Sequence, residues 1–198
     1  MDRRQFIAAG SSLAVALAVP PALAKSKVSG DVRLRRLLDA VADDGIAHSP
    51  EFATSLGLDK GKLAALRGQL SPATSAERHA DLARNRGWIA RIKAIPEPSL
   101  SAAGKRHQAL ALYQLEQRTI GTMQFDIDSV QRPYPIYQQG GAYFGIPDFL
   151  TAQHPIGSSA DAEAYLSRLS AFARVLDEDT AEQKAQAKLE EDKRSARA

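Results

Sequence analysis

The sequence predicts an all-α protein of mainly antiparallel helices, interrupted by an irregular segment rich in glycine, proline and tyrosine. Three observations favour this fold class. Apolar residues recur at helical spacing in several segments between residues 32 and 176. Prolines and glycines separate these segments. Only residues 125–130 alternate apolar and polar side chains, and they are interpreted as either a short strand or an extended connector.

The first 24 residues have the features of a secretory signal peptide. Arg3 and Arg4 precede an apolar run that ends with Ala22 and Ala24 on either side of a leucine. The paired arginines, followed by Gln-Phe-Ile, indicate the twin-arginine route. A transmembrane anchor is the alternative, but the apolar run is shorter than the roughly 20 residues that a bilayer requires, and it contains two prolines. We therefore expect a periplasmic or otherwise exported protein, with no stable membrane anchor after cleavage.

The composition excludes several kinds of site. Because the chain has no cysteine, it has no disulfide framework, no catalytic thiol and no cysteine-ligated metal. The formal net charge is +3, and basic and acidic residues are interspersed along the chain. A nucleic-acid-binding surface would need a basic strip, so no nucleic-acid partner is expected.

The first amphipathic helix is predicted to run from Val32 to about Gly45. Its apolar residues fall at i, i+3, i+4 and i+7, at Leu34, Leu37, Leu38 and Val41. The helix should end before Pro50, because a residue that precedes proline is disfavoured in helical geometry. Residues 51–72 then read as a short helix with turns.

Two longer helices should follow. The first is predicted to be capped by Thr74 or Ser75 and to end at Ile95. The second is predicted to begin after Ser99 or Ser101. Because only a short Pro-Glu-Pro joint separates them, these two helices are expected to be antiparallel neighbours.

The clearest helical pattern runs from residue 158 to residue 176. Ser158 and Asp161 have the spacing of a capping box, with aspartate in place of the usual glutamate. Beyond it the chain is highly charged, and Leu189 is the only large apolar residue, so a disordered or frayed tail is expected. The predicted organisation is a signal peptide at 1–24, a helical part at 25–177 and a charged tail at 178–198.

The irregular segment centres on two consecutive glycines. Glycine tolerates positive φ and has no Cβ, so the backbone here can approach either a ligand or a neighbouring helix closely. Both interpretations, ligand contact and packing, remain open from the sequence. The candidate residues for a substrate cleft are Gln138, Gln139, Gly140, Gly141, Tyr143 and Phe144.

Several stretches of the chain resemble a known bacterial family. They include Pro135-Ile-Tyr-Gln-Gln-Gly-Gly, Ile146-Pro-Asp-Phe-Leu, His154-Pro-Ile and Tyr165-Leu-Ser-Arg-Leu, with Pro50-Glu-Phe-Ala-Thr-Ser-Leu-Gly-Leu as a second patch. Together they resemble the N-terminal half of proteins with the "domain of unknown function 885", over roughly residues 30–180. Arg168, in the stretch Tyr165-Leu-Ser-Arg-Leu, is interpreted as a structural residue.

The resemblance implies a large helical protein related to zinc metallopeptidases of the gluzincin kind. In such proteins a His-Glu-x-x-His helix, in the C-terminal half, places two imidazoles on one helix face. None of the four histidines, His48, His79, His107 and His154, has this arrangement. The chain is therefore expected to hold no catalytic residue, no metal ligand and no cofactor. Zinc, and a peptide or small-molecule substrate, are expected only for the full-length form.

Two further expectations follow from the charged tail and from the missing motifs. The tail does not resemble the family, so the family sequence is expected to be interrupted close to Gln183 and the chain to be inactive alone. The alternative is a self-standing periplasmic helical module that binds a partner or a small ligand. A third possibility, a hydrolase complete as it stands, would need a site built from Asp, Glu, Ser and lone His residues.

Overall fold

The computed structural model describes residues 29–195, without the side chains of residues 193 and 194. The predicted signal peptide, with Arg3, Arg4, Ala22 and Ala24, lies outside the described residues. Within them the chain forms six α-helices and two short 3-10 segments, at Gly61–Gly68 and Glu97–Ser99, and no extended strand, which confirms the all-α fold class. The α-helices are α1 (Gly30–Ala47), α2 (Pro50–Ser55), α3 (Ser75–Lys93), α4 (Ala102–Phe125), α5 (Ala142–Ala152) and α6 (Ser159–Ser195).

Side-chain caps fix the starts of α1, α3 and α4, and the caps of α3 and α4 are each one of the two candidates predicted from the sequence. The Thr74 hydroxyl accepts a hydrogen bond from the Glu77 amide at 3.2 Å, and the Ser101 hydroxyl accepts one from the Gly104 amide at 3.1 Å. Each cap satisfies one of the amides that a helix start leaves without an intrahelical partner. A Ser29 cap does the same for α1.

Helices α3 and α4 are antiparallel neighbours, which confirms the prediction made from the short joint. At one end, the Gln108 side-chain amide donates to the carbonyls of Ile92 and Ile95, both at 3.0 Å. At the other end, His79 Nε2 lies 2.8 Å from a carboxylate oxygen of Asp126. The two helices therefore pair along their whole length.

Two hydrophobic clusters hold the helices together. The first joins α1, α3 and α4 through Leu34, Ile92, Ile95, Leu100 and Leu115. The second joins the chain before α3 to α5 and α6 through Leu70, Ala142, Ile146, Phe149, Leu150 and Val175. Burying one such leucine, isoleucine or phenylalanine contributes about 1.5–3 kcal/mol.

Helix α6 is much longer than predicted, because it continues to Ser195 instead of fraying after residue 177. The expectation of a disordered or frayed tail was wrong for residues 178–195. Polar contacts hold this part: Glu178 accepts from the Ala73 amide at 2.8 Å, and Glu182 accepts from the Ser75 amide at 2.7 Å. Apolar burial alone predicts fraying here. The structure instead holds one face of α6 against the chain before α3 through its carboxylates.

Residues 125–130 form no strand. Phe125 is the last residue of α4, and the chain then leaves the helix through Asp126 in a left-handed conformation, with a φ of 55°. The connector interpretation therefore fits, and the strand interpretation was wrong.

None of the helices in the described part of the chain combines the length and the apolar character that a membrane span requires.

Candidate functional site

The two glycines of the irregular segment are explained by backbone geometry. The Tyr137 and Gly140 backbones exchange hydrogen bonds of 3.3 and 3.1 Å, which closes a tight turn with Gln138 and Gln139 at its tip. A Cβ on Gly140 would lie 2.0 Å from the Tyr137 ring. Gly141 has a φ of 99°, a conformation that side chains rarely allow, and it immediately precedes α5. The packing interpretation therefore accounts for Gly140.

Tyr143 fastens this turn to α5. Its hydroxyl lies 2.8 Å from the carbonyl oxygens of both Tyr137 and Gln138, so it donates to the turn backbone. Phe144 follows on α5 with a half-exposed ring. The side chains of Gln138 and Gln139 are exposed at the tip.

A cleft of about 660 Å³ lies beside the turn. It is bounded by the start of α3, by the connector after α4 (residues 126–141), and by α6. Gly141 is the only one of the six sequence candidates that lines it. The other five belong to the turn at its edge or to α5. One wall of the cleft is rigid and partly aromatic, and consists of Pro133, Tyr134, Pro135 and Tyr137.

The cleft lining is mostly acidic. Five carboxylates, those of Glu77, Asp81, Asp128, Asp179 and Glu182, line it with two guanidinium groups, those of Arg78 and Arg132. Both arginines already have partners. Arg78 bridges Glu182 at 3.2 Å and Asp126 at 3.3 Å, and Arg132 donates to the Tyr137 hydroxyl at 2.8 Å.

Asp179 lies at the point where α6 meets the start of α5. Its side chain is only 6% exposed, and it accepts the backbone N–H of Ala142. Burial raises the pKa of Asp179, and the nearby Glu178 adds to this rise, although the hydrogen bond from Ala142 opposes it. The cleft therefore contains a carboxyl group whose ionisation is disfavoured by burial.

Two buried polar atoms of the cleft have no hydrogen-bond partner. They are Gln186 Oε1 and Arg78 Nε, and no other buried side-chain nitrogen or oxygen among the described residues lacks one. Gln186 is only 9% exposed, and both residues line the cleft. A buried polar group left unpaired costs about 1–3 kcal/mol. Both atoms are shielded from solvent in this structure, so a ligand in the cleft would pair with them only after the two side chains rotate towards it.

Sequence reasoning did not find Gln186, because it lies in the segment that was expected to be a frayed tail. Its neighbours on α6, Asp179 and Glu182, were missed for the same reason. The available signal was their i, i+3 and i+7 spacing, which places the three side chains on one helix face.

A second polar cluster surrounds Arg168, which is fully buried. Its guanidinium group donates to three carbonyls, to the Thr54 hydroxyl and to His154 Nδ1, the last at 2.7 Å. Because a guanidinium group can only donate, Nδ1 of His154 accepts, and its Nε2 carries the proton that is donated to the Asp161 carbonyl. These contacts tie α2, the 3-10 segment at Gly61–Gly68, and α6 together, so the structural interpretation of Arg168 is confirmed.

Carboxylates next to this cluster balance the buried cation. Thr54 donates to Asp59 at 2.8 Å, and Arg67 bridges Asp59 at 3.3 Å and Asp161 at 2.6 Å. Burial disfavours ionisation of Asp59, but hydrogen bonds from Thr54 and Arg67 outweigh it and lower the pKa of Asp59. The hydrogen bond from Ser158 lowers the pKa of Asp161. All groups of the cluster are paired with one another, which indicates a structural role.

The resemblance implies zinc only for the full-length form, and the described residues offer no group that could hold it. Between residues 29 and 195 no three His, Asp or Glu side chains are grouped so that they could hold a metal ion. His79 lies beside one carboxylate, that of Asp126, and His154 is engaged by Arg168. No step through a metal is therefore derived for these residues.

Fold and cleft together define an all-helical protein whose long last helix forms one wall of a polar, mainly acidic cleft. The model of a family described as "Bacterial protein of unknown function (DUF885)" matches residues 50–197, which is most of the chain. The chain therefore belongs to this family. The match continues past Gln183, so the expectation that the family sequence is interrupted there was wrong. No curated protein and no solved structure matches the chain.

Proposed function

We propose that the described part of this chain binds a peptide substrate in the cleft between α3, the connector after α4, and α6. In this role it contributes a wall of the substrate site and not the reacting groups. The observation that carries the proposal is the pair of buried, unpartnered atoms in the cleft, Arg78 Nε and Gln186 Oε1. The family membership supplies the context but no activity.

A peptide group fits these two atoms chemically. Its carbonyl oxygen would accept from Arg78 Nε, and its N–H would donate to Gln186 Oε1. The proline and tyrosine wall offers rigid apolar surface for the rest of the ligand. A small molecule that carries an amide offers the same two kinds of group, so the shared chemistry is the amide.

The wider setting of the cleft is also a proposal. From the resemblance, we propose that the chain is the N-terminal part of a larger, zincin-like protein related to metallopeptidases. The chain has no His-Glu-x-x-His sequence, so the zinc chemistry is placed outside it and no catalytic residue is assigned. We further propose export by the twin-arginine route, which is supported by Arg3 and Arg4 and by the Ala-x-Ala end of the apolar run.

The variant Gln186→Leu tests peptide binding. Leucine has a similar size and needs no hydrogen bond, so we expect the ligand-free protein to keep or gain stability, by about 1–3 kcal/mol. The affinity for a blocked dipeptide, N-acetyl-alanyl-alanine amide, should fall about tenfold, because its N–H loses an acceptor. Isothermal titration calorimetry measures the affinity and urea unfolding measures the stability, both on the 198-residue chain.

The matched control is Gln124→Leu, at an exposed position on α4 outside the cleft. It should change neither the affinity nor the stability by more than a small amount. The proposal fails if the wild-type chain does not bind the dipeptide at millimolar concentration. It also fails if Gln186→Leu binds the dipeptide as tightly as the wild type does.

A further inference from the structure

We infer that the cleft selects ligands with a positively charged group, so that its substrate class is peptides carrying a lysine or arginine side chain in the cleft. This inference rests on the proposed function, since it assumes that a peptide binds there. It adds the chemical class of the ligand, which family membership does not supply.

The first observation is the charge of the lining. Carboxylates outnumber guanidinium groups by five to two. Arg84, which pairs with Glu77 and Asp81 from outside the lining, brings the ratio only to five to three. A concave surface with an excess of one sign of charge attracts the opposite sign and repels its own. An anionic ligand is therefore disfavoured on entry.

The second observation is which groups remain without a partner. Among the described side chains, Asp128 has neither an ion-pair nor a hydrogen-bond partner, and its carboxylate is exposed in the cleft wall. Both arginines of the lining are engaged with partners of their own. Arg132 has a neutral partner and keeps its charge, but the carboxylates of the lining still outnumber the guanidinium groups, so the net charge that a ligand meets in the cleft is negative.

The third observation is independent of charge. Gln186 Oε1 is an acceptor buried in the cleft without a donor. Together with Asp128 it gives the cleft lining two acceptors without a protein donor, against one buried donor without an acceptor, Arg78 Nε. An ammonium or guanidinium group carries several donors and no acceptor. A ligand that presents one peptide carbonyl and one such cation matches this set of groups.

The aromatic wall is compatible with the same class of ligand. The rings of Tyr134 and Tyr137 line the cleft, and the face of an aromatic ring attracts cations. Tyr137 already shows this behaviour, because the guanidinium carbon of Arg132 lies 5.3 Å from its ring centroid.

Three blocked tripeptides test the inference. They are N-acetyl-Ala-Lys-Ala amide, N-acetyl-Ala-Gln-Ala amide and N-acetyl-Ala-Glu-Ala amide. Their ends are blocked, so only the central side chain can carry a charge, which is positive, absent and negative in turn. We expect the 198-residue chain to bind the lysine peptide at least tenfold more tightly than the glutamine peptide, and the glutamate peptide most weakly. Calorimetric titrations at low and at physiological salt should show that the preference shrinks as salt rises.

The variant Asp128→Asn locates the preference. It should weaken binding of the lysine peptide several-fold and leave the glutamine peptide unchanged. Asp177→Asn is the matched control, since Asp177 is an exposed carboxylate on α6 outside the cleft. It should change neither affinity.

The outcomes separate this inference from the proposed function. Equal affinity for all three peptides would overturn the charge selectivity and leave peptide binding intact. No binding of any peptide would overturn peptide binding itself. A lysine preference that survives Asp128→Asn unchanged would overturn the assignment of the preference to the cleft.

Discussion

At the scale of single residues, most buried polar groups of this protein are paired, and the exceptions are concentrated in one place. Arg168 is the clearest paired case, because all its nitrogens donate to groups brought from four parts of the chain. Burial lowers the pKa of Arg168, and Glu51 and Asp59 oppose this effect. Gln186 Oε1 and Arg78 Nε are the exceptions, and both lie in the cleft.

Asp179 gives a prediction for the dependence of stability on pH. Its pKa in the folded protein is raised above the value of about 3.9 that aspartate has in an unfolded chain. Its stabilising contribution is therefore complete below that value and is lost as the pH rises through the folded-state pKa. Asp179→Asn keeps an oxygen that can accept from Ala142 and cannot ionise. We expect this variant to gain stability relative to the wild type as the pH rises from about 4 towards neutrality.

Urea unfolding at a series of pH values measures this difference. Asp59 and Asp161, whose pKa values are lowered, act at the acid end in both proteins, because their contribution is present above about pH 4 and is lost below it. They therefore cancel in the comparison. Asp177→Asn serves as the control on the same helix. A stability difference between Asp179→Asn and the wild type that is constant with pH would refute the assignment.

At the scale of elements, the sequence predicted those helices whose ends and faces follow local rules. The caps at Thr74 and Ser101 were predicted because a hydroxyl before a helical pattern has one dominant use. The paired helices α3 and α4 were predicted because a short joint permits few arrangements. These features depend on residues close together in the chain.

Helix α6 shows where local rules stop. Its last part has no apolar stripe, and its stability comes from carboxylates that accept amides more than 100 positions earlier in the chain, at Ala73 and Ser75. The helical spacing of these carboxylates is visible in the sequence, but the amides that they accept from, more than 100 positions away, are not. The same limit applies to the cleft, because Gln186 and Arg78 come to line one cavity only after α6 has packed beside the start of α3. The two adjacent glycines indicated a close backbone approach at Gly140, because this signal is local, but they did not predict the turn that the structure shows there.

At the scale of the whole molecule, the proposed export signal precedes the proposed binding domain. We expect the double substitution Arg3→Lys with Arg4→Lys to block export, because the twin-arginine receptor reads both guanidinium groups. Cell fractionation and immunoblotting should then find the variant uncleaved in the cytoplasm and the wild type, cleaved after Ala24, in the periplasm. A single Lys substitution at Arg33, on α1, is the control. Unchanged periplasmic accumulation of the double variant would contradict the twin-arginine route.

The central claim is that the cleft between α3 and α6, and no other surface, binds peptide. The most direct measurement is a nuclear magnetic resonance titration of the ¹⁵N-labelled full-length chain with the neutral glutamine peptide, since this ligand does not depend on the charge preference. We expect the largest chemical-shift changes at Arg78, Asp179 and Gln186. Changes confined to the Gln138–Gln139 tip, or to the apolar groove around Phe52 and Leu110, would contradict it.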